Sequence, residues 1–297
     1  MARLAIFTER YTIRKSVELT ALSNFRLAAH ELGHQLDFIF RNEICLIDQY
    51  DGIFIRALTD PLNASFVVTR LAQMKGKRVI DDPSSIRICC DKVNMYAHLM
   101  RDNIPIPATV FLKSHEVTAE NARELFETLG VPLVLKAPNS SFSAYVDKVS
   151  TAEDFVKVGK RFLRRADRIV VQQYMPSDFD WRVITLDGKV LAIAKYVMTG
   201  DCWKIQEKNA EGKTIYCDVL GVKKKDVDPR LLQVALDASR AIGAGLYGVD
   251  IKEVDGEYYV IEVNDNPNID AGLEDQASPE IYRWIVQYLA GEKFEGL

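Results

Sequence analysis

The stretch Gly248-Val-Asp250-Ile-Lys252, followed by Val260-Ile-Glu262-Val-Asn264-Asp-Asn-Pro267, constrains this chain more than any other. Two short apolar runs, 246–254 and 258–263, flank the turn signal Asp255-Gly256 and predict a β-hairpin. Glu262 and Asn264 are two residues apart, so both side chains leave the strand on one face. A three-residue loop over Asp255-Gly256-Glu257 pairs Val254 with Tyr258 and sets Asp250 opposite Glu262. A two-residue turn sets Ile261 there instead, unless a bulge restores the match. Convergence of all three side chains therefore predicts an irregular hairpin. Carboxylate and amide oxygens without His or Cys suit Mg²⁺, an ion that keeps waters and bridges to substrate phosphates. Asp250 and Glu262 lie in apolar context, where an uncompensated carboxylate is costly, and this favours a metal over a solvated hairpin.

The 297 residues suffice for two or three domains, and 48% hydrophobic with 27% charged residues describes an ordinary globular chain. A formal net charge of −4 makes no electrostatic case for nucleic acid or a membrane surface. The five cysteines show no metal-type spacing, and Cys89-Cys90 are adjacent, which predicts reduced thiols. No apolar leader and no run of membrane-span length is read, so a cytoplasmic location is expected.

Short apolar strands alternate with helical spacing over residues 1–85: strands at 3–7, 52–56 and 77–80, helices at 17–32 and 64–74. Such alternation predicts a parallel sheet with crossover helices. A helix over 91–102 ends at Asn103-Ile-Pro-Ile-Pro107, because the residue before proline disfavours the α conformation. Strands at 108–112, 133–136, 144–149 and 169–174, with helices at 120–129 and 152–165, predict a small α+β lid subdomain. The remainder holds the longest β pattern, from 181 to 196 onward, and helices at 231–242 and 279–289.

His30-Glu31-Leu-Gly-His34 matches the zinc-peptidase pattern, in which two histidines one helical turn apart share a metal. Gly33 interrupts the helix inside the motif and no third ligand follows, so the histidines are expected at the surface near a helix end. Lys92, in the first turn of a helix, is placed where the macrodipole already favours phosphate. Lys136 ends the apolar strand Leu133-Val-Leu-Lys136, which points a long cation out of a sheet. Gln172-Gln173-Tyr174-Met175 ends a strand beside Asp180-Trp-Arg182, an arrangement open to an adenine slot with Asp180 on the ribose. Arg56, at the end of a buried strand, is a candidate grip for a substrate carboxylate, since arginine matches it bidentately; a structural salt bridge is the other reading. Lys157, Lys160, Arg161, Arg164, Arg165 and Arg168 form a basic face, read either as solvated or as a dock for an acidic peptide.

Taken in order, Asp91-Lys92, Ile-Pro-Ile-Pro107, Leu-Lys136 before a Ser-rich loop, Gln-Gln-Tyr-Met175, Asp-Trp-Arg182 and Gly-Val-Asp250…Ile-Glu262-Val-Asn264-x-x-Pro267 resemble the ATP-grasp superfamily. Within it the chain is most similar to RimK-type glutamate ligases and glutathione synthetases. The resemblance implies an ATP-grasp fold of α/β lobes preceded by a Rossmann-like N-terminal domain. The expected divisions are 1–88 for that domain and 89–297 for the ATP-grasp domain, with a lid at about 105–175 and a C-terminal lobe at 176–297. It further implies Lys92 and Lys136 on the nucleotide's phosphates and base, Gln173, Tyr174 and Met175 as adenine hinge, and Asp180 on the ribose. Asp250, Glu262 and Asn264 would hold Mg²⁺, with Mn²⁺ as an alternative, and Arg182 would face the transferred phosphate. Lys195 stands where RimK-type ligases usually carry a substrate arginine. Two segments depart from the pattern: Asn139-Ser-Ser-Phe-Ser143 replaces a glycine-rich lid loop, and Trp203-Lys-Ile205 replaces an Arg-Ser-Asn segment.

The implied reaction activates a small-molecule or peptide carboxylate with ATP to an acyl phosphate, which an amino-acid amine attacks, glutamate being one candidate. No protein nucleophile is needed; positioning and charge stabilisation suffice. A nucleotide-binding interaction module and a zinc peptidase are the rival classes, and homo-oligomerisation is left open.

Overall fold

The structure, a computed structural model, describes residues 1–139, 145–198, 203, 206–208 and 214–297. The chain opens as an alternating α/β unit of β1 (Arg3–Thr8), α1 (Ser16–Glu31), β2 (Gln35–Ile39), β3 (Gly52–Arg56), α2 (Ala64–Met74) and β4 (Arg78–Ile80). The four strands are all parallel, in the order β2-β1-β3-β4. Their side chains alternate between two cores. Leu4, Ile6 and Phe54 pack with Leu22 and Phe25 of α1, whereas Ala5, Phe7, Ile53 and Ile55 pack with Val68 and Ala72 of α2. Burial on both faces explains why these strands read as continuous apolar runs.

Two short helices lead to the next layer, α3 (Pro83–Cys89) and α4 (Lys92–Arg101). Asp82 caps α3 by accepting from the Ser84 and Ser85 amides at 2.8 and 3.2 Å, and Pro83 occupies its first turn. Asp91 caps α4 in the same manner. Then come β5 (Thr109–Lys113), α5 (Ala119–Leu129), β6 (Leu133–Lys136), β7 (Val146–Val149), α6 (Ala152–Phe162) and β8 (Arg168–Gln173). These strands form an antiparallel sheet, β5-β8-β6-β7, whose Leu133, Leu135, Ile169 and Val171 pack against Phe155 and Phe162 of α6.

The last lobe contains β9 (Phe179–Leu186), β10 (Lys189–Val197), β11 (Gln206–Lys208), β12 (Thr214–Tyr216), β13 (Asp218–Gly221), α7 (Pro229–Ile242), β14 (Leu246–Val254), β15 (Glu257–Asn264) and α8 (Ile281–Ala290). Its main sheet runs β13-β10-β9-β14-β15 and is antiparallel throughout. One face presents Val183, Ile193, Val249, Ile251, Val260 and Val263 to Met95, Tyr96 and Leu99 of α4 and to Leu231, Ala235 and Ala238 of α7. The other face presents Ile184, Leu186, Ala192 and Leu246 to Ile281 and Ile285 of α8, which also packs on the N-terminal sheet. Phe25 meets Phe54 and Tyr282 edge-to-face, with ring centroids 5.2 and 4.8 Å apart, so α1, β3 and α8 lock together.

Several sequence expectations need correction. The long β pattern from 181 to 196 is two strands around an Asp187-Gly188 turn, where both residues have positive φ. Strand β2 and helix α3 were not expected, and helix α6 stops at Phe162 rather than 165. The expected start of β7 at Ala144, and the loop at 140–143, lie outside the described residues. Among the described residues no helix is long and apolar enough to cross a membrane.

Candidate active site

The hairpin β14–β15 reconciles two demands that conflict in the sequence. Asp255 and Gly256 both take positive φ, 53° and 78°, and close a two-residue turn that pairs Val254 with Glu257. The three-residue loop is therefore not used. Pairing stays regular to Ile251–Val260 and then shifts, so that Asp250 faces Glu262 and Ile261 is the extra residue of a bulge. The bulge keeps Tyr258, Val260 and Val263 on the helix-packed face while turning Glu262 and Asn264 to the other. On the neighbouring strand Arg182 stands opposite Asp250. Asp250, Glu262, Asn264, Arg182 and Asp180 thus share one face.

The charges on that face are paired. Arg182 clasps Asp250 through Nε and through Nη2, the latter at 2.9 Å from Oδ2. Asn264 Nδ2 donates to the same Oδ2 at 3.2 Å and to the Gly248 carbonyl at 3.3 Å. Lys92, projecting from the first turn of α4, places Nζ 2.6 Å from Glu262 Oε1. Lys252 donates to Asp180, and Lys136 Nζ donates to Tyr96 Oη at 2.7 Å. Tyr96 Oη in turn donates to the carbonyl of the bulged Ile261. Gly248 lets the Arg182 stem cross the strand: a Cβ there would lie 2.6 Å from Pro267 and 3.1 Å from Arg182 Cδ. Beyond Arg182, the guanidinium lies 4.8 Å from the Tyr196 ring centroid, and Tyr196 Oη donates to Glu274 at 2.6 Å.

Burial and these partners set the titration. Burial lifts Asp250 to about 6 against the pull of Arg182. Burial also acts to lift Glu262, but the Lys92 ammonium, then Lys136 and Arg182, hold it below the usual carboxylate range. Lys136 falls to about 8, because burial and the Lys92 and Lys252 ammoniums outweigh the attraction of Glu262 and Asp180.

Lys92, Lys136, Gln173, Tyr174, Met175, Asp180, Asp250 and Glu262 line one cleft between the β5–β8 sheet and the main sheet. Its apolar wall comes from Val134, Val146, Met175 and Ile261. Asn264 and Arg182 reach the cleft floor through Asp250. Four further residues were given no role at the site from the sequence. Lys252 is legible as the same-face neighbour of Asp250, two residues on. Tyr96 is one helical turn from Lys92 but reads as core. Gly248 has no side chain to signal its role. Trp203 lines the cleft with its ring edge-on to Tyr174 at 6.0 Å, and Lys148 lies over both rings at 4.6 and 4.9 Å. Residues 204 and 205 of the Trp203-Lys-Ile205 segment lie outside the described residues.

Two expected residues stand apart. Lys195 is directly opposite Trp181, not Arg182, so it points to the other face of the sheet. Its ammonium lies 4.2 and 4.4 Å from the Phe179 and Trp181 ring centroids. The placement of Lys195 as a substrate-facing cation is therefore corrected; Tyr196, one residue on, shares the face with Arg182. Arg56 lies at the edge, where β3 meets the loop after β15, and its Nη1 donates to Asn266 Oδ1 at 3.0 Å and the Pro267 carbonyl at 2.7 Å. Among the described residues no carboxylate pairs with it at ion-pair distance, so the salt-bridge reading is not realised.

The HExxH match is broken by the backbone. Helix α1 ends at Glu31 and Gly33 takes φ +76°. His34, expected at the surface, buries its side chain between the Ala2 amide, 3.2 Å from Nδ1, and Glu292, 3.1 Å from Nε2. Among the described residues no cluster of three His, Cys, Asp or Glu side chains forms a metal site. On the basic α6 face, Arg161 pairs with Asp147, Arg165 stacks on Tyr145 at 4.6 Å and Arg168 pairs with Asp167 at 2.9 Å. Half of that basic set is thus engaged locally.

Two carboxylates and an amide, two buried lysines and an apolar slot thus lie together between two antiparallel sheets. Residues 89–289 match the RimK-like ATP-grasp domain, and the chain belongs to that family. It is 22% identical over 298 residues to a probable alpha-L-glutamate ligase 2 of Pseudoalteromonas atlantica, covering 93% of each chain. It is 24% identical over 233 residues to the glutamate–LysW ligase ArgX of Sulfolobus acidocaldarius, covering 74% of this chain and 75% of that one. In fold it is similar to the D-alanine–D-alanine ligase of Bacillus anthracis complexed with ATP, with a TM-score of 0.71 at 18% identity, covering 98% and 97% of the two chains. The RimK domain ATP-grasp protein of Sphaerobacter thermophilus gives a TM-score of 0.68 at 18% identity, covering 97% and 99%.

Proposed function

We propose that this chain is an ATP-dependent, ADP-forming carboxylate–amine ligase whose reacting centre is the face carrying Arg182, Asp250, Glu262 and Asn264. The observation that carries this reading is the bulge at Ile261, which turns Glu262 and Asn264 to the face of Asp250, toward a cleft containing two buried lysines. In this reading the strand end at Gln173, Tyr174 and Met175 receives the adenine, Asp180 the ribose, and Lys92 and Lys136 the phosphates. The donor set fits a hard divalent cation: only oxygens converge, and rotating the Asn264 amide presents its Oδ1 beside Asp250. Asp250, Glu262 and Asn264 would hold Mg²⁺, or Mn²⁺ in its place. When bound, the ion supplies charge neutralisation to the phosphates.

The chemistry runs in two steps. A substrate carboxylate oxygen attacks the γ-phosphorus, the β–γ bridging bond breaks, and an acyl phosphate and ADP form. An amine then attacks the acyl carbon and inorganic phosphate departs, leaving an amide. Arg182, buried and bidentate, stabilises charge on the transferred phosphoryl group. Among the described residues Arg56 donates hydrogen bonds through Nη1 alone, which leaves the rest of its fork for a substrate carboxylate. Lys195, on the opposite face, has no part in this scheme.

The names of the relatives, glutamate ligases, support glutamate as one of the two substrates, the reaction joining a small-molecule or peptide carboxylate to an amino-acid amine. Three working lobes, 1–88, about 105–175 and 176–297, and a cytoplasmic setting complete the reading. The test is an ADP-release screen of amino acids and short acidic peptides with Mg²⁺ and ATP, with mass spectrometry of products. Amino-acid-dependent ADP release with a matching amide supports the ligase. Nucleotide binding with no turnover for any pair would favour the interaction module.

A further inference from the structure

We infer that Glu274 is a positioning residue for Arg182: it fixes the Tyr196 ring, and the ring fixes the plane of the guanidinium. This rests on the reading of Arg182 as the group that meets the transferred phosphoryl, and adds what aims it. Arg182 donates to Asp250 through Nε and Nη2, the latter at 2.9 Å. Among the described residues Nη1 donates to no partner, so it is the nitrogen left for a phosphate oxygen. A bidentate bond to one carboxylate sets the edge of the guanidinium but lets its plane hinge about that edge. The Tyr196 ring centroid lies 4.8 Å from the guanidinium carbon. The ring therefore blocks the hinge on one side and attracts the cation through its π face.

Glu274 holds that ring in place. Tyr196 Oη donates to Oε1 at 2.6 Å, and the Asp270 amide donates to Oε2 at 2.9 Å, so both carboxylate oxygens are used. Tyr196 and Glu274 are buried, and the charge of Glu274 acts on Arg182 across the ring. A phenol that donates to a carboxylate has a more electron-rich ring, so the bond strengthens the pull on the guanidinium as well as fixing its geometry. The segment carrying Glu274 is itself anchored at both edges of the lobe. The Gly221 amide of β13 donates to Gln276 Oε1 at 3.1 Å, and Tyr282 Oη of α8 donates to Asp275 at 2.9 Å. Glu274 is not among the residues that line the cleft, so its effect on a nucleotide passes through Tyr196 and Arg182.

The ratio of affinities for the Mg²⁺ complexes of β,γ-imido ATP and of ADP, measured by calorimetry, reads the aim of Arg182 without turnover. Tyr196→Phe keeps the ring and removes the bond to Glu274. Glu274→Gln keeps an acceptor for the phenol and removes the charge. Each should weaken the imido analogue about tenfold, a coupling of ordinary size between neighbours, while MgADP binds as in wild type. The double variant should bind no more weakly than either single one, because both act through one bond. Retained MgADP affinity shows that a variant is folded, and Tyr196→Phe decides alone if Glu274→Gln does not fold. Equal weakening of both nucleotides marks a merely structural role and overturns the inference. An unchanged ratio in Tyr196→Phe overturns it as well. Arg182→Gln separates the two levels: if it leaves the ratio unchanged, Arg182 does not meet the γ-phosphate and the reading beneath the inference fails. If it lowers the ratio while Tyr196→Phe does not, only the inference fails.

Discussion

Lys136 lies at the centre of the cleft with its ammonium on Tyr96 Oη and a pKa of about 8. Its charge is therefore present at neutral pH and lost as pH rises through 8, well below the range of an exposed lysine. Because the charged form is the one that would meet phosphate in the proposed site, ATP affinity should fall above pH 8, and binding at pH 9 should take up a proton. Calorimetry in buffers of different ionisation enthalpy reads that proton directly. Lys136→Ala should weaken ATP about 10- to 100-fold, as expected for loss of a charge-assisted bond of about 1.5–3 kcal/mol, and should abolish the proton uptake. A pH-independent affinity would remove Lys136 from the phosphate site. Lys195 makes the opposite case. Lys195→Ala should leave MgATP affinity unchanged while costing about 0.5–1 kcal/mol of stability from its ring contacts, measured by denaturant titration. The order of residues along β10 could not separate Lys195 from Tyr196 as the site-facing side chain; only the register opposite Trp181 and Asp180 does so.

At the level of elements, the hairpin shows what a local pattern can and cannot carry. The spacing of Glu262 and Asn264, the Asp255-Gly256 turn and the need for an irregularity were all legible, because each depends on strand alternation or turn chemistry. The kind of irregularity was not legible, since a longer loop and a bulge satisfy the same parity. Apolar Val260 and Val263, an odd number of residues apart yet both in the core, are the trace that the bulge leaves in the sequence. Gly256→Ala isolates the turn: a Cβ there meets nothing within 4 Å, so only the positive φ opposes it. The expected cost is about 1 kcal/mol, with a melting point lower by about 2–4 °C and nucleotide affinity unchanged. Loss of nucleotide binding in that variant would mean the turn, not the bulge, sets the register at Asp250. Helix α3 was missed because Asp81-Asp82-Pro83 reads as the close of a strand. The same Asp-Pro pair also starts a helix, with Asp82 as cap and Pro83 in the first turn. Strand β2 was missed because its Gln35 and Asp37 dilute the apolar signal at the sheet edge.

Across the whole molecule, the cleft is assembled from α4, β6, the end of β8, β9 and the β14–β15 hairpin, segments spread over roughly three-fifths of the chain. The α/β class and the cluster of nucleotide-type residues were legible because each contributing motif carries its own local signal. The contact that holds Arg56 was not. Arg56 meets Asn266 across 210 positions, and no local period in either segment announces that contact. Glu262→Gln tests the assembled site against the fold: the variant should melt cooperatively with an unchanged circular dichroism spectrum but form no ADP with Mg²⁺. Retained Mg²⁺-dependent ADP formation would take Glu262 out of the metal site.

In the proposed reaction the γ-phosphate passes to a carboxylate before the amide forms. Transfer of ¹⁸O tests it most directly. The carboxylate substrate returned by the ADP-release screen is supplied with both carboxyl oxygens labelled, together with its amine, ATP and Mg²⁺. One labelled oxygen should appear in inorganic phosphate for each amide made, with ADP as the nucleotide product. Unlabelled phosphate, or AMP in place of ADP, would contradict the acyl-phosphate route.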